Sequence, residues 1–169
     1  SQRVGGEWYR GTADAIYQNL DIIRTHSPRL VLILAGDHVY KMDYGPFLVA
    51  HEERKADMTI CCIEMPVREA AGQFGVMTVD ETGWIIGFDE KPAKPNEIPG
   101  KPGYCLASMG IYVFNAKVLI DALATDTTDF GKEIIPGLLG KEKMCSYVFD
   151  EYWEDIGTVR AFFDTNLSL

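Results

Sequence analysis

Basic residues, long apolar runs and paired cysteines are all scarce in this sequence of 169 residues. The 16 lysines and arginines are outnumbered by 25 acidic residues, and the net charge of -9 argues against a basic surface for DNA or RNA. No apolar stretch reaches the roughly 20 residues that a membrane-spanning helix needs. The four cysteines form no C-x-x-C pair, which argues against structural zinc and favours buried, reduced thiols in a cytoplasmic protein. We therefore expect no nucleic-acid partner and no membrane partner.

Apolar runs of strand length alternate with segments that have the periodicity of helices. Residues 12–26 have apolar side chains at helical spacing, and the continuous apolar run at 30–35 predicts a strand buried on both faces. Residues 74–79 and 84–88 predict a hairpin whose turn contains Gly83. Further predicted strands lie at 58–65, 108–114, 146–149 and 152–156, and further predicted helices at 43–54, 116–123, 130–139 and 158–166. This order predicts a three-layer α/β domain with a mixed sheet.

Two acidic residues follow predicted strands at positions where a ligand can bind. Asp37 comes just after the apolar run, and Asp155 ends a strand shortly before a helix that Thr158 can cap. Ligands of open α/β sheets bind at the carboxyl ends of strands, and Mg²⁺ takes one or two carboxylates together with water and phosphate oxygens. The pattern therefore indicates that Asp37 and Asp155 hold Mg²⁺. The structural alternative is a turn-capping role for Asp37 and a bond from Asp155 to the following helix.

Other positions carry groups suited to a phosphorylated sugar. Lys91 ends a strand and precedes a proline, which predicts an extended backbone and presents a compact charge for one phosphate. Glu90 could accept hydroxyl protons, Ser108 could donate to a sugar oxygen, and Gly75 permits close approach of the backbone. Taken alone, the Glu90–Lys91 pair is more typical of a solvated charge cluster.

Small residues at the start of the first helix offer a different kind of contact. At Gly11 and Thr12 a flat base or a ribose could approach backbone N–H groups that have no partner within the helix. An ordinary capped helix is the structural alternative.

Seven stretches, in their order and spacing, resemble the glucose-1-phosphate adenylyltransferase family, a branch of the sugar-nucleotide pyrophosphorylases. They are W-Y-R-G-T-A-D-A from Trp8, L-A-G-D-H-V-Y-K-M-D-Y from Leu34, F-G-V-M from Phe74, E-K-P from Glu90, A-S-M-G-I-Y-V-F from Ala107, D-F-G-K-E-I-I-P from Asp129 and Y-W-E-D-I-G-T from Tyr152. Together they cover essentially the whole chain. The resemblance implies a Rossmann-like nucleotidyltransferase domain with a mixed, mostly parallel sheet.

The resemblance also implies a reaction and roles for individual residues. ATP and α-D-glucose 1-phosphate would give ADP-glucose and pyrophosphate, for glycogen or starch synthesis, in a homotetramer. The implied residues are Asp37, Lys91 and Asp155 in catalysis, with Asp37 and Asp155 on Mg²⁺; Tyr9, Gly75, Glu90, Lys91 and Ser108 at glucose 1-phosphate; and Gly11 and Thr12 at the nucleotide. Because the attacking phosphate oxygen is already ionised at neutral pH, no general base and no nucleophilic Ser or Cys is assigned.

The sequence departs from the family in what it does not contain. The family's glycine-rich opening loop and its C-terminal left-handed β-helix are not found, so we expect residues 1–169 to be part of a catalytic domain with little activity alone. Internal loops are expected to be missing near 125–128 and 150–151. Three other functions stay open: an enzyme that makes a UDP-, dTDP- or GDP-sugar, a non-catalytic regulatory subunit, and a simple sugar-phosphate binding module.

Overall fold

Helices and strands alternate along the chain in the computed structural model, which describes residues 20–34, 43–123 and 129–149. The helices are α1 (Leu20–His26), α2 (Gly45–Glu53), α3 (Val67–Ala70), α4 (Ala116–Ala122) and α5 (Ile135–Leu138), and a π-helical turn (Phe130–Ile134) leads into α5. The strands are β1 (Leu30–Leu34), β2 (Met58–Pro66), β3 (Val76–Val79), β4 (Ile85–Asp89), β5 (Tyr104–Asn115) and β6 (Met144–Val148). Among these residues no helix is long and apolar enough to cross a membrane.

The twelve-residue strand β5 organises the sheet. Strand β2 pairs antiparallel with β5 along almost its whole length and therefore occupies one edge of it. On the other edge, β1 pairs with residues 111–115 and β3 pairs with residues 106–107, both antiparallel. Strand β6 extends the sheet beyond β2, and β4 extends it beyond β3. Because β1 and β3 lie end to end on one edge, residues 108–110 of β5 sit at the junction between them.

The directions of the strands agree with the predicted mixed sheet. Strands β1, β2, β3 and β6 run the same way, which confirms an α/β fold in which most strands share one direction. Strands β4 and β5 run the opposite way, and β5 lies in the middle of the sheet. Among the described strands, β2 and β6 therefore form the one ladder in which neighbours are parallel.

Two clusters of buried side chains lie on opposite faces of the sheet. On β2 and β5, Ile60 and Phe114 point to a cluster that includes side chains of α4, the π-helical turn and α5. Their neighbours Cys61 and Val113 point to the other cluster, which packs around Phe47 of α2. Because successive side chains of a strand alternate between faces, these two strands need helices on both sides. The predicted three layers are therefore confirmed.

Strand β1 differs from its prediction as a strand that is buried on both faces. Ile33 is 5% exposed, but Leu32 and Leu34 are 37% and 53% exposed. Leu30, Leu32 and Leu34 share one face of the strand because of its two-residue period. Of these three, only Leu30 packs against the cluster around Phe47. Helix α2 therefore covers the start of this face and not its end.

The predicted hairpin turn is held by one aspartate. Asp80 Oδ1 accepts hydrogen bonds from the backbone N–H groups of Thr82 at 2.8 Å and Trp84 at 3.1 Å. Gly83 has a φ of 88°, which favours glycine. The turn reaches β6, since Ser146 N donates to Gly83 O at 3.0 Å. This bond joins the turn to β6, while Met77 and Ile85 of the hairpin lie in the core cluster that includes α4 and α5.

Candidate functional site

A bulge in β5 forms the floor of the candidate site. Cys61 of β2 pairs with Ile111, whereas the next residue, Cys62, pairs with Ser108, so β5 contains extra residues at this point. Gly110, inside the bulge, has a φ of 72° and its N–H donates to Ser108 Oγ at 3.2 Å. Ser108 is buried, with 7% of its surface exposed. The bulge therefore holds the predicted sugar-binding serine at the junction of β1 and β3.

Gly75, the second predicted sugar contact, lies directly beside Ser108. The backbone N–H of Ser108 donates to the Gly75 carbonyl at 2.8 Å. A Cβ at position 75 would collide with the ring of Phe88 on β4. The packing of Phe88 is therefore sufficient to require glycine here, and the contact of Gly75 with a sugar stays a prediction.

Glu90 is the first residue after β4 and lies in a partly buried group of charges. Its carboxylate packs so closely on Gly131 of the π-helical turn that a Cβ there would overlap it. Burial is the main cause that raises the pKa of Glu90, and the carboxylate of Asp129 raises it further. The ammonium groups of Lys91 and Lys132 act in the opposite direction. The carboxylate can therefore accept hydrogen bonds from a ligand near two cations.

Tyr112 connects Ser108 to these acids. The Ser108 side chain lowers the pKa of the Tyr112 phenol, but burial outweighs it and raises this pKa to about 12, with smaller increases from Glu90 and Asp129. The ring stacks on Phe130, with 5.3 Å between centroids and 23° between planes. The phenol is consequently protonated at neutral pH and can donate to an acceptor on a ligand.

Lys91, the predicted phosphate ligand, is exposed and has an unusual backbone. Its φ is 47°, so the expectation of an extended conformation before Pro92 is wrong. The carbonyl of the next residue, Pro92, accepts a hydrogen bond from Gly72 N at 2.9 Å. This bond between distant parts of the sequence holds the chain where it turns away from β4. A left-handed conformation costs a non-glycine residue on the order of 1–2 kcal/mol, and such strain is common at functional sites.

The structure also adds residues to which the sequence analysis gave no role: Tyr112, Asp129, Phe130 and Gly131. Asp129 begins the π-helical turn, and its Oδ1 accepts from Lys132 N at 2.9 Å. One signal in the sequence could have indicated this segment, since a glycine stands inside an otherwise helical pattern. Its π-helical form, which is common at functional sites, is visible only in the structure.

The remaining predicted site residues lie outside the described residues: Tyr9, Gly11, Thr12, Asp37 and Asp155. Both predicted metal ligands are among them. Among the residues that are described, no group of three or more His, Cys, Asp or Glu side chains could hold a metal ion.

Strands β1 and β6 end at nearly the same level of the sheet. The last residue of β1, Leu34, pairs with Ile111 of β5, which in turn pairs with Cys61 of β2. Next to it on β2, the Cys62 carbonyl accepts from Phe149 N, just after β6, at 2.8 Å. Two intervening strands separate β1 from β6, which places them about 14 Å apart. Asp37 comes three residues after β1 and Asp155 seven residues after β6, and both lie outside the described residues.

Comparison with known proteins identifies relatives over the whole chain. The family model for nucleotidyl transferases matches residues 2–169. The glucose-1-phosphate adenylyltransferase of Saccharophagus degradans is 50% identical over an alignment of 182 residues that covers 100% of this chain and 43% of that protein. The proteins of the same name from Shewanella frigidimarina and Shewanella baltica strain OS185 have the same identity and coverage. The chain therefore spans less than half the length of these relatives.

Each of these alignments is longer than the 169 residues of the chain, so the relatives carry residues that this chain does not have. The predicted missing loops near 125–128 and 150–151 would account for such a difference. Both segments lie outside the described residues, and the two positions stay a prediction.

Proposed function

This chain belongs to the nucleotidyl transferase family, and on that premise we propose that the protein transfers the adenylyl group of ATP to glucose 1-phosphate. The products are ADP-glucose and pyrophosphate. This reaction supplies the ADP-glucose from which glycogen or starch is made. Three relatives named glucose-1-phosphate adenylyltransferase are 50% identical to the chain over its whole length. The observation that carries the proposal is the meeting of Gly75, Glu90 and Ser108, which come from three separate motifs. Val76 pairs with Asp89, so Gly75 and Glu90 flank the same end of the hairpin, beside Ser108.

The proposed glucose 1-phosphate site divides the substrate between two kinds of residue. The ammonium of Lys91 takes the phosphate, as a compact cation suited to a single phosphoryl group. The carboxylate of Glu90 accepts hydrogen bonds from sugar hydroxyls, while Ser108 and the protonated phenol of Tyr112 donate to sugar oxygens. Tyr9 lines the same pocket, and Gly11 and Thr12 meet the nucleotide.

The chemistry proposed for this site needs no general base. A phosphate oxygen of glucose 1-phosphate, ionised at neutral pH, attacks the α-phosphorus of ATP, and the bond to the β-phosphate breaks to release pyrophosphate. Catalysis then consists of alignment and of neutralising the charge that develops at the α-phosphate. Lys91 contributes alignment by fixing the attacking phosphate beside the floor of the site at Ser108.

Asp37 and Asp155 are the proposed Mg²⁺ ligands. The sequence pattern supports the pairing, because each acid lies at the carboxyl end of a predicted strand. Mg²⁺ prefers a small number of carboxylates and takes its other oxygens from phosphates and water. Bound there, the ion would neutralise charge on the phosphates of both substrates.

The first experiment measures product formation by the full-length protein that contains this chain. It is given glucose 1-phosphate and Mg²⁺ with ATP, UTP, dTTP or GTP, and the nucleotide sugar is identified by mass spectrometry. We expect ADP-glucose as the main product. A main product of UDP-, dTDP- or GDP-glucose would assign the protein to a sister enzyme, and no product with any nucleotide would indicate a regulatory subunit or a binding module.

The metal assignment is tested with two variants and a control. Asp37→Asn and Asp155→Asn should each lower kcat by about 100-fold or more, since each weakens the ion that acts on the developing charge. Asp121→Asn changes an exposed acid of α4 and should leave kcat unchanged. A loss confined to KM, with normal kcat, would refute the metal role.

We further propose a cytoplasmic homotetramer that binds neither nucleic acid nor membranes. The net charge of -9 supports the absence of nucleic-acid binding. Light scattering of the full-length protein at micromolar concentration gives the mass of the assembly, and a monomer or dimer would refute the tetramer.

A further inference from the structure

Gly131 stands in the π-helical turn at a position where the backbone does not require glycine. Six glycines of the described chain have a positive φ, and Gly131 is not among them. Any residue can therefore adopt its conformation, and alanine favours helical conformations more than glycine does. The backbone does not explain a glycine here, so the explanation lies in its surroundings.

The space beside Gly131 is filled by the side chain of Glu90. The three atoms nearest to a Cβ added at position 131 all belong to Glu90, and the Cβ would overlap the carboxylate. Gly75 is different, because its added Cβ would meet the aromatic ring of Phe88. At Gly137, in α5, nothing lies within 4 Å of an added Cβ. A side chain at position 131 would therefore displace the group that we assign to the sugar, and not a packing group.

The π-helical turn is fixed to the strand that carries Ser108. The ring of Phe130 stacks on Tyr112, with 5.3 Å between centroids, and its centroid lies 5.9 Å from that of Phe114. Both of these partners belong to β5, whose bulge holds Ser108. The ring packing therefore fixes Gly131 relative to the floor of the candidate site.

The charges around Glu90 would move its carboxylate if this space were closed. The carboxylate of Asp129 repels it, whereas the ammonium groups of Lys91 and Lys132 attract it. Lys91 is exposed, and in the part of the chain that the structure describes neither Lys91 nor Glu90 forms an ion pair. A displaced carboxylate would be free to turn toward Lys91 and neutralise the cation that we assign to the phosphate. The space beside Gly131 therefore keeps the two ligand-binding charges apart.

We propose that Gly131 is a positioning residue for sugar recognition. Because it has no side chain, the carboxylate of Glu90 lies against the turn and meets a sugar hydroxyl, and Lys91 stays free for the phosphate. This inference rests on the proposed function, since it takes Glu90 and Lys91 as ligands of glucose 1-phosphate. A single methyl group at position 131 should therefore impair sugar recognition without touching the substrate.

Steady-state kinetics of the full-length protein test this role. Gly131→Ala should raise the KM for glucose 1-phosphate about tenfold, the low end for losing a hydrogen bond to a charged group. The KM for ATP should change less than about twofold. The melting temperature should stay within about 2 °C, because the group that must move is the end of a flexible side chain. Gly137→Ala should leave both KM values unchanged, and equal rises of both KM values in Gly131→Ala would overturn the proposal.

A double-mutant cycle with Glu90→Ala shows whether Gly131 acts through Glu90. Without the carboxylate, a methyl group at position 131 has nothing to displace. Adding Gly131→Ala to Glu90→Ala should therefore change the KM for glucose 1-phosphate by less than about twofold. A further tenfold rise in the double variant would mean that Gly131 acts on another group, and would overturn the proposal.

A panel of glucose 1-phosphates that each lack one hydroxyl separates positioning from general distortion. Glu90→Ala should cost least with the analogue that lacks the hydroxyl bound by Glu90. Gly131→Ala should show the same order of losses across the panel. A uniform loss with every analogue, in either variant, would contradict the positioning of Glu90 on a hydroxyl.

A crystal structure of the Gly131→Ala protein gives a result that needs no activity. We expect the carboxylate of Glu90 to have left the turn, with the backbone of residues 129–134 unchanged. A carboxylate that stays in place while the turn moves away would overturn the inference. If the wild type forms no ADP-glucose, the proposed function fails, whatever the crystal structure shows. If the wild type is active and Gly131→Ala is unaffected, the inference alone fails.

Discussion

The two halves of the candidate site are built in opposite ways. Ser108 and Tyr112 on β5, with Gly75 beside them, are buried and held by hydrogen bonds and ring packing. Lys91, at the start of the loop after β4, is exposed and has a strained backbone. The buried half can orient a ligand without moving much itself. The exposed half supplies a charge that water and salt screen until a ligand binds.

This difference separates effects on folding from effects on affinity. A change in the buried half should alter stability together with substrate binding, because the same contacts serve both. A change at the exposed lysine should alter binding alone. Four variants test this contrast, in order of the size of the effect that we expect.

Lys91→Ala should have the largest effect, on binding only. The KM for glucose 1-phosphate should rise about 10- to 100-fold, the range for losing a hydrogen bond to a charged group, while the KM for ATP changes little. The melting temperature should stay within about 1 °C of the wild type because the side chain is exposed. Steady-state kinetics measure the two KM values and calorimetry measures the melting temperature, with Lys117→Ala as the control. Equal increases in both KM values would contradict the assigned role.

Gly75→Ala should lower the free energy of unfolding by about 1–3 kcal/mol, the usual range for overpacking, because the new methyl group collides with Phe88. Urea denaturation measures the change. Gly137→Ala is the matched control: it lies in α5, nothing is within 4 Å of its added Cβ, and alanine favours helices. If Gly75→Ala were as stable as the wild type, the Phe88 ring would be able to move aside. Packing would then not explain the glycine, and close approach of a ligand would.

Tyr112→Phe should lower stability by about 1 kcal/mol, since the polar interaction of the buried phenol with Ser108 is lost and the ring is kept. The KM for glucose 1-phosphate should rise several-fold if the phenol also meets the sugar. Tyr104→Phe, at an exposed ring, controls for the stability effect. A loss of stability with an unchanged KM would leave Tyr112 with a purely structural role.

Glu90→Gln should have the smallest effect, and its size depends on pH. Because the folded protein raises the pKa of Glu90, the stability that its protonated form provides is present below the ordinary value of 4.5 and is lost as pH rises through the folded value. The glutamine variant should therefore melt slightly higher than the wild type at pH 7 and equally at pH 4. Thermal melts at both values measure this, with Glu53→Gln as the control. A lower melting temperature at pH 7 would mean that Lys91 and Lys132 stabilise the carboxylate more than burial opposes it.

Much of the local structure could be predicted from neighbouring residues. The run Met58–Pro66 has the composition of a buried strand, and Asp80 with Gly83 forms the expected turn because both act within a few residues. The prediction of an extended backbone at Lys91 is wrong because the rule for residues before proline considers only neighbouring residues. The observed φ goes with a hydrogen bond between Gly72 and Pro92, which are far apart in the sequence.

The sequence by itself determined the alternation of helices and strands, the two apolar faces of β2 and β5, and the family to which the chain belongs. These follow from periodicity and motifs, which depend on residues close together in the chain. Only the tertiary structure decided that β5 runs against its neighbours, that its bulge places Ser108 beside Gly75, and that Asp129 and Gly131 close on Glu90. Those contacts join residues far apart in sequence, and they depend on how the whole sheet and its helices pack.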